Sequence, residues 1–248
     1  MSRDERTPLA NELNQVPTVL AEGELELLGL LPRSSNYTFL ARSTLGAERT
    51  LVVYKPRRGE TPLWDFPEGT LCRREVAAFV LSRALGWPNV PPTILREGPE
   101  GEGSVQLFVE AAGRDHYLTL RDRPDLAGEF RRVALFDVIA NNADRKSGHC
   151  LLDRSGLVWV VDHGVCFSDE EKLRTVIWDH AGEPIPPALL DDLRRLRSEP
   201  RRDELRAELE VLLSAEEVAA TEARMEEVLE TARYPEPGDR RPFPWPPV

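Results

Sequence analysis

The sequence contains little cysteine and no long apolar run. Its 248 residues include three cysteines, none of which forms a CxxC pair. Such an odd and sparse set is typical of reduced thiols rather than of a disulfide framework. No apolar run approaches the roughly 20 residues that a membrane-spanning helix needs, and the opening MSRDERTPLANELNQ has no apolar stretch like that of a secretion signal. We therefore expect a cytoplasmic protein without a transmembrane segment.

Positive charge is also in deficit, and lysine is nearly absent. The chain has 43 acidic against 32 basic residues, for a formal net charge of -11. Because such a chain repels polyanions, nucleic acid is not an expected partner. Only three of the basic residues are lysines, namely Lys55, Lys146 and Lys172. Arginine is thus the default cation, and each lysine calls for an explanation.

The first 110 residues or so predict an antiparallel sheet with one inserted helix. Short, partly β-branched or aromatic segments alternate with turns rich in Pro, Ser, Asn and Gly. The apolar spacing over 70–85, closed by Gly86 and Pro88, predicts a helix after the third strand. The predicted strands cover 24–32, 37–43, 49–55, 92–97 and 104–111.

The second half predicts a mainly helical region that contains one short hairpin. A helix beginning near Leu126 precedes two strands at 150–153 and 157–161, and amphipathic helices follow Pro187. The proline-rich segment from Tyr234 onward is predicted to be extended over the surface or disordered.

The most specific stretch is DVIANNADRKSGH at 137–149, followed by VVDHG at 160–164. The helix delivers a polar turn with Asp144 and His149, and the hairpin ends in Asp162. Because a tight hairpin joins the two strands, we expect these acidic groups to converge. Paired carboxylates bind Mg²⁺ together with substrate phosphates, and a separate aspartate can orient an attacking hydroxyl. The set therefore suits phosphoryl transfer.

Two residues of the first half complement this cluster. Lys55 ends the apolar strand RTLVVYK, and Glu75 lies on the inserted helix, where it faces the sheet. A half-buried ammonium is costly unless an anion neutralises it, so the two are predicted to pair and to aim the ammonium at phosphate oxygens. The alternative is an edge-strand lysine with its head in water and a solvated Glu75.

With these residues in place, the chain resembles the protein-kinase-like superfamily, nearest the phosphatidylinositol 3- and 4-kinase type. That type has a signature FDxxxGNxDRHxxN, followed by two strands and DFG. The resemblance covers about residues 24–180 and implies a two-lobe α+β fold, with an antiparallel sheet and one inserted helix in the N-lobe and a mainly helical C-lobe. The matching residues are Phe136, Asp137, Asn142, Asp144, Arg145, Asp162 and Gly164.

The resemblance also implies a domain organisation. The expected parts are an N-terminal extension at 1–23, a nucleotide-binding N-lobe at 24–111, a helical C-lobe at 112–233 and a proline-rich tail at 234–248.

The resemblance further implies roles for the residues of the cleft. Lys55 would hold the α- and β-phosphates of ATP, and Glu75 would orient it. Asp144 would be the catalytic aspartate, with Lys146 contacting the transferred phosphate, and Asp162 would be the main metal ligand. A loop over the phosphates and an adenine-binding hinge would be formed by Ser34, Ser35 and Asn36, and by the backbone of Phe108, Val109 and Glu110.

Several positions depart from the family pattern. His149 stands where the family has a metal-binding asparagine, and imidazole suits Mg²⁺ less well than oxygen does. A zinc site that uses His149 and Cys150 is disfavoured, because adjacent strand residues point to opposite faces. Lys172 lies in the acidic segment FSDEEKLRTV, which argues against a highly phosphorylated lipid head group.

The expected function is that of an ATP- and Mg²⁺-dependent kinase that transfers the γ-phosphate to a hydroxyl on a lipid, a protein or a small molecule. His149 and the glycine-free phosphate loop favour an alternative, a nucleotide-binding pseudokinase that acts as a regulatory module. Transfer of AMP instead of phosphate is a further alternative that the sequence leaves open.

Overall fold

The computed structural model describes residues 15–32, 36–87, 89–238 and 241–248. A sheet-containing part is followed by a mainly helical part, as the predicted two-lobe α+β fold requires. The elements of the first part are α1 (Thr18–Glu22), β1 (Glu24–Leu30), β2 (Phe39–Leu45), β3 (Glu48–Pro56), α2 (Leu71–Leu85), β4 (Thr93–Gly98) and β5 (Gly101–Leu107).

The five strands form one antiparallel sheet in the order β1-β2-β3-β5-β4. Along β3, Val52 and Tyr54 are fully buried on one face. Because side chains alternate across a strand, Lys55 points to the opposite face. On the Tyr54 face, Leu20 of α1 joins the apolar cluster of the sheet. The sequence did not predict α1, which falls in the proposed extension 1–23; the domain boundaries stay predictions.

The helical part contains one short hairpin, as predicted. Its elements are α3 (Tyr117–Leu120), α4 (Ala127–Ala140), β6 (Cys150–Leu152), β7 (Val158–Val160), α5 (Pro187–Arg197), α6 (Arg201–Glu210) and α7 (Ala215–Thr231). One side of α4 is buried, from Phe130 through Asp137 to Ala140. Within the ranges described above, none of the helices combines the length and the apolar character that a membrane crossing requires.

Helix α2 is buried on nearly all sides because it lies between the sheet and the C-terminal helices. It packs on β4 and β5 on one side and on α5 and α6 on the other. Thr70 does not cap it with its side chain. Instead, the Glu60 carboxylate accepts hydrogen bonds from the amides of Leu71, at 3.1 Å, and Cys72, at 2.8 Å. The helix ends at Gly86, whose φ of 73° suits glycine. The polar side chains of α2 are thereby held between the two lobes.

The start of α7 carries a complete capping box. The Ser214 hydroxyl accepts from the Glu217 amide at 3.2 Å, and the Glu217 carboxylate accepts from the Ser214 amide at 2.9 Å. We expect Ser214→Ala to lower the free energy of unfolding by about 1 kcal/mol, because an orphan amide loses its partner. Urea denaturation measures the change. Ser198→Ala removes an exposed hydroxyl at a helix end and is the control; equal losses in the two variants would contradict this assignment.

Candidate active site

Lys55 connects the two lobes. Its ammonium contacts the Glu75 carboxylate and lies 3.0 Å from Asp162 Oδ1. Burial by itself would lower the pKa of Lys55, but Asp162 and Glu75 outweigh burial and raise it above its ordinary value. The ammonium is therefore charged and held at the interface of sheet and hairpin, with a fifth of its side chain exposed.

Glu75 accepts hydrogen bonds from both lobes. One carboxylate oxygen binds Lys55, and the other accepts a hydrogen bond from the His163 amide at 3.1 Å. Glu75 is 2% exposed, so both of its oxygens depend on these partners. The inserted helix thereby fixes the lysine and the backbone of the DHG turn, residues 162–164, in one arrangement.

Asp162 follows β7 in a left-handed backbone conformation, with φ 65°. Few residues other than glycine adopt this conformation, and it is frequent at functional sites. The Lys55 ammonium lowers the pKa of Asp162 well below its ordinary value, although burial opposes the shift. About half of the side chain is exposed, at 53%. Asp162 is thus an ionised carboxylate that is partly exposed to solvent.

His149 packs against Asp162 as a neutral ring. Burial lowers the pKa of His149 to about 4, and the nearby Asp162 charge only partly opposes this. Its Nδ1 accepts from the Lys146 amide at 3.3 Å, which places the ring proton on Nε2, 3.4 Å from Asp162 Oδ2. His149 is thus a neutral ring whose Nε2 faces Asp162, and its role as a metal ligand stays a prediction.

Asp144 lies in the loop between α4 and β6, beside Lys146. The Lys146 ammonium is 2.9 Å from Asp144 Oδ2, and the Asp144 amide donates to Asn142 Oδ1 at 3.0 Å. Burial raises the pKa of Asp144; Lys146 opposes this rise, and the Asp162 charge adds to it. A carboxylate with a raised pKa is better suited to accept a proton than an exposed aspartate.

A fully buried ion pair supports this loop from below. Arg145 donates to both carboxylate oxygens of Asp137, at 2.8 to 3.1 Å, and neither side chain is exposed. The same guanidinium donates to the Val161 carbonyl at 3.0 Å and lies 2.7 Å from His163 Nε2. The end of α4, the loop that carries Asp144 and the DHG turn are therefore joined through one cation.

The structure thus brings together six of the predicted site residues. Asn36 Oδ1 accepts from the Thr61 amide at 2.7 Å. Ser34 and Ser35 are outside the described residues. The predicted hinge follows β5, and this strand ends at Leu107 rather than at residue 111 as predicted. In the hinge, the Phe108 amide donates to the Leu51 carbonyl at 3.0 Å, and Val109 is half-buried. The Glu110 carboxylate lies 3.4 Å from the guanidinium of Arg154. The six residues brought together are Lys55, Glu75, Asp144, Lys146, His149 and Asp162.

Comparison with known proteins identifies the family. No family model matches the sequence. Protein Rv2133c of Mycobacterium tuberculosis is 41% identical over 261 residues, which cover 92% of this chain and 94% of that protein. The chain belongs to the family of Protein Rv2133c.

More distant similarities point to kinases. Phosphatidylinositol 4-kinase gamma 4 of Oryza sativa subsp. japonica is 32% identical over 142 residues, or 48% of this chain and 24% of the plant protein. Phosphatidylinositol 4-kinase gamma 3 of Arabidopsis thaliana is 27% identical over 165 residues, or 52% and 28%. The crystal structure of the Helicobacter pylori proinflammatory kinase CtkA aligns with a TM-score of 0.51 and 14% identity over 85% of this chain and 95% of that one. The chain therefore has a kinase-like fold.

The donor set at the end of the hairpin fits a hard cation that takes most of its ligands from phosphate and water. Asp144 and Asp162 offer carboxylate oxygens, and Mg²⁺ is usually held by one or two carboxylates plus substrate phosphates. No cage of three or more His, Cys, Asp or Glu side chains is present in the described residues. Cys72, Cys150 and Cys166 are buried thiols that are not joined to one another.

Two further cations near the cleft have different environments. Lys172, 9% exposed, lies 3.0 Å from Glu170 and 3.6 Å from Asp65, so acidic side chains already neutralise it. Arg174 is half-buried and is among the charges that hold down the pKa of Asp144. The sequence interpretation missed Arg174, since one more arginine in an arginine-rich chain gave no signal.

Proposed function

We propose that the chain is an ATP- and Mg²⁺-dependent phosphotransferase that moves the γ-phosphate of ATP to a hydroxyl acceptor. The observation that carries this proposal is the ammonium of Lys55, which is shared between buried Glu75 and half-exposed Asp162. A charged lysine held between two lobes, beside an ionised carboxylate, is suited to bind the phosphates of a nucleotide. The similarity to the plant kinases and to the fold of CtkA supports the same class of reaction.

The proposed step follows from the side chains of the cleft. The acceptor oxygen forms a bond to the γ-phosphorus while the bond to the β,γ-bridging oxygen breaks, and ADP leaves. Asp144 orients the hydroxyl and accepts its proton, while Lys55 and Lys146 stabilise charge on the phosphates. Asp162 would be the main ligand of Mg²⁺, which would supply further neutralisation of the phosphates when bound.

The acceptor is a hydroxyl compound that carries few phosphates. The names of the plant relatives make a phosphatidylinositol hydroxyl one candidate, beside a protein side chain and a small polyol. Lys172, the remaining lysine, is buried and paired with Asp65 and Glu170. It is therefore not available to bind a phosphorylated head group, and the acidic residues around it would repel one.

The test of this proposal is transfer of label from ATP. Purified protein is incubated with Mg²⁺ and γ-labelled ATP in the presence of phosphatidylinositol vesicles, peptides or polyols, and calorimetry measures nucleotide binding. We expect Mg²⁺-dependent labelling of one acceptor class. Binding without transfer to any acceptor would instead support a nucleotide-binding regulatory module. Labelling from α-labelled ATP would support transfer of AMP.

Replacement of Lys55 should weaken nucleotide binding. We expect Lys55→Met to reduce the affinity for ATP by about 10- to 100-fold, because a charge-assisted hydrogen bond to phosphate contributes roughly 1.5–3 kcal/mol. Calorimetry with Mg²⁺-ATP measures the change. Lys172→Met is the matched control, since it removes a lysine that is already paired with Asp65 and Glu170 and is proposed to bind no phosphate. Equal affinities for wild type and Lys55→Met would contradict the assignment.

A further inference from the structure

Residues 241–248, RPFPWPPV, lie against the loop that carries Asp144 and against the segment after the DHG turn. The Pro242 carbonyl accepts hydrogen bonds from the Thr175 amide and from the Trp178 indole, each at 3.0 Å. The Pro247 carbonyl accepts from the Ser147 amide at 2.9 Å. The 241–248 segment therefore contacts two neighbouring segments, 145–147 and 174–178. We call the surface beneath it, formed by 145–147 and 174–178, the tail groove.

The tail groove offers main-chain donors in the manner of a strand edge. Arg145 donates to the Arg174 carbonyl at 2.9 Å and accepts from the Val176 amide at 3.1 Å. Backbone groups alternate along an extended segment, so the amide of Thr175 points away from Arg145. An amide exposed along such an edge is a general site for extended polypeptide, which can supply carbonyls at regular intervals.

The anchoring points of the 241–248 segment are next to the proposed reaction centre. Ser147 follows Lys146, whose ammonium lies 2.9 Å from Asp144. On the other side, the amide of Arg174 donates to the Asn142 carbonyl at 2.8 Å, and Asn142 Oδ1 in turn accepts from the Asp144 amide. A molecule bound in the tail groove is thus held by the same short segments that position Asp144.

The 241–248 segment has no side chain that could accept a phosphate. Between Pro235 and Val248 there is no serine, threonine or tyrosine, so no hydroxyl can receive a phosphate. Pro244 is buried, whereas Phe243 is 51% and Trp245 is 78% exposed. The large apolar side chains therefore contribute little to docking, which depends on a few carbonyls and one buried proline. We therefore expect a competing extended peptide to displace the segment.

From these contacts we propose that the tail groove is the binding site of an extended polypeptide acceptor, and that residues 241–248 occupy it as a non-reactive internal competitor. The identification of the occupant as an acceptor rests on the proposed phosphotransferase function. Competition for the groove does not depend on catalysis, so binding can be tested separately.

The binding test uses a fluorescein-labelled peptide, RPFPWPPV, with anisotropy as the readout and no nucleotide present. The protein is the full chain and a variant that lacks 242–248. We expect the shortened variant to bind the peptide about tenfold more tightly, equivalent to roughly 1.4 kcal/mol. Trp178→Phe in the shortened variant should weaken this binding because it removes the indole donor. Equal affinity for both chains, or no binding to either, would overturn the proposal.

Because the shortened variant can fail to fold, a full-length variant provides a second measurement. Pro244→Glu places a charge at the buried proline, which should release the segment and raise peptide affinity in the same direction. Trp245→Glu changes an exposed position and should leave affinity unchanged. Circular dichroism verifies folding of each variant. Equal peptide binding by Pro244→Glu and wild type would contradict the proposed docking.

The activity test identifies the acceptor. The same peptide with serine in place of Trp245, and phosphatidylinositol vesicles, are offered with γ-labelled ATP and Mg²⁺. We expect the peptide to be labelled, and faster by Pro244→Glu than by wild type. Labelling of vesicles alone would overturn the assignment to a polypeptide acceptor. Peptide binding without labelling of any acceptor would overturn the proposed function but leave the competition in the groove established.

Discussion

Asp144→Asn is expected to slow phosphoryl transfer by roughly 10²- to 10⁴-fold, the usual contribution of a general base. The amide has the same shape as the carboxylate but cannot take up the proton of the acceptor hydroxyl. It also removes the anionic partner of Lys146, which lies 2.9 Å away. Nucleotide affinity should change little, because Lys55 and Asp162 are untouched. Initial rates with labelled ATP and calorimetry with Mg²⁺-ATP provide the two measurements.

Asp125→Asn is a suitable control for this variant. Asp125 is an exposed aspartate that pairs with Arg123 two residues before it. Its replacement removes one negative charge from the surface and leaves the cleft intact, so transfer should continue at the wild-type rate. If Asp144→Asn transferred phosphate as fast as Asp125→Asn does, this result would contradict the role given to Asp144.

Local sequence pattern was enough to predict the elements that carry the cleft. The apolar spacing of 70–85 and the Gly86 stop correspond to α2, and the apolar segment at 49–55 corresponds to β3. In both cases a local run of apolar residues, bounded by turn residues, was enough to predict the element. The proposed proximity of Asp144 and Asp162 followed from the short hairpin between them.

Features that depend on partners far apart in sequence could not be predicted in this way. Lys172 is neutralised by Asp65, more than a hundred residues earlier, and nothing local in the acidic segment indicates that partner. The cap of α2 comes from Glu60 rather than from Thr70, because the preceding loop folds back onto the helix start. A proline-rich composition indicates an irregular backbone but does not reveal the surface on which it lies.

The ion pair between Asp137 and Arg145 could be predicted from the sequence only in part. The family resemblance marked the two residues, yet their chemistry becomes clear only from their complete burial. Burial by itself would lower the pKa of Arg145, but Asp137 outweighs burial and raises it. The cation therefore remains charged inside the C-lobe, where water cannot replace a lost partner.

We therefore expect Asp137→Asn to lower the free energy of unfolding by about 3–5 kcal/mol, the cost of leaving a buried charge without its partner. Urea denaturation measures the loss. Asp191→Asn breaks an exposed pair with Arg194 and should cost less than about 1 kcal/mol. Added salt should reduce the small effect at Asp191 but not the large one, because buried charges are poorly screened. A loss at Asp137 no larger than that at Asp191 would contradict this account.

A double replacement separates the stability of this pair from its role in the site. Asp137→Leu with Arg145→Met removes both charges, so much of the stability lost in the single variant should return. Transfer should nevertheless stay low, because Arg145 also holds the Val161 carbonyl and His163 beside the DHG turn. Recovery of stability together with full activity would show that this cation has no part in positioning Asp144 and Asp162. Recovery of stability alone would show that the buried charge is retained for the geometry of the loop.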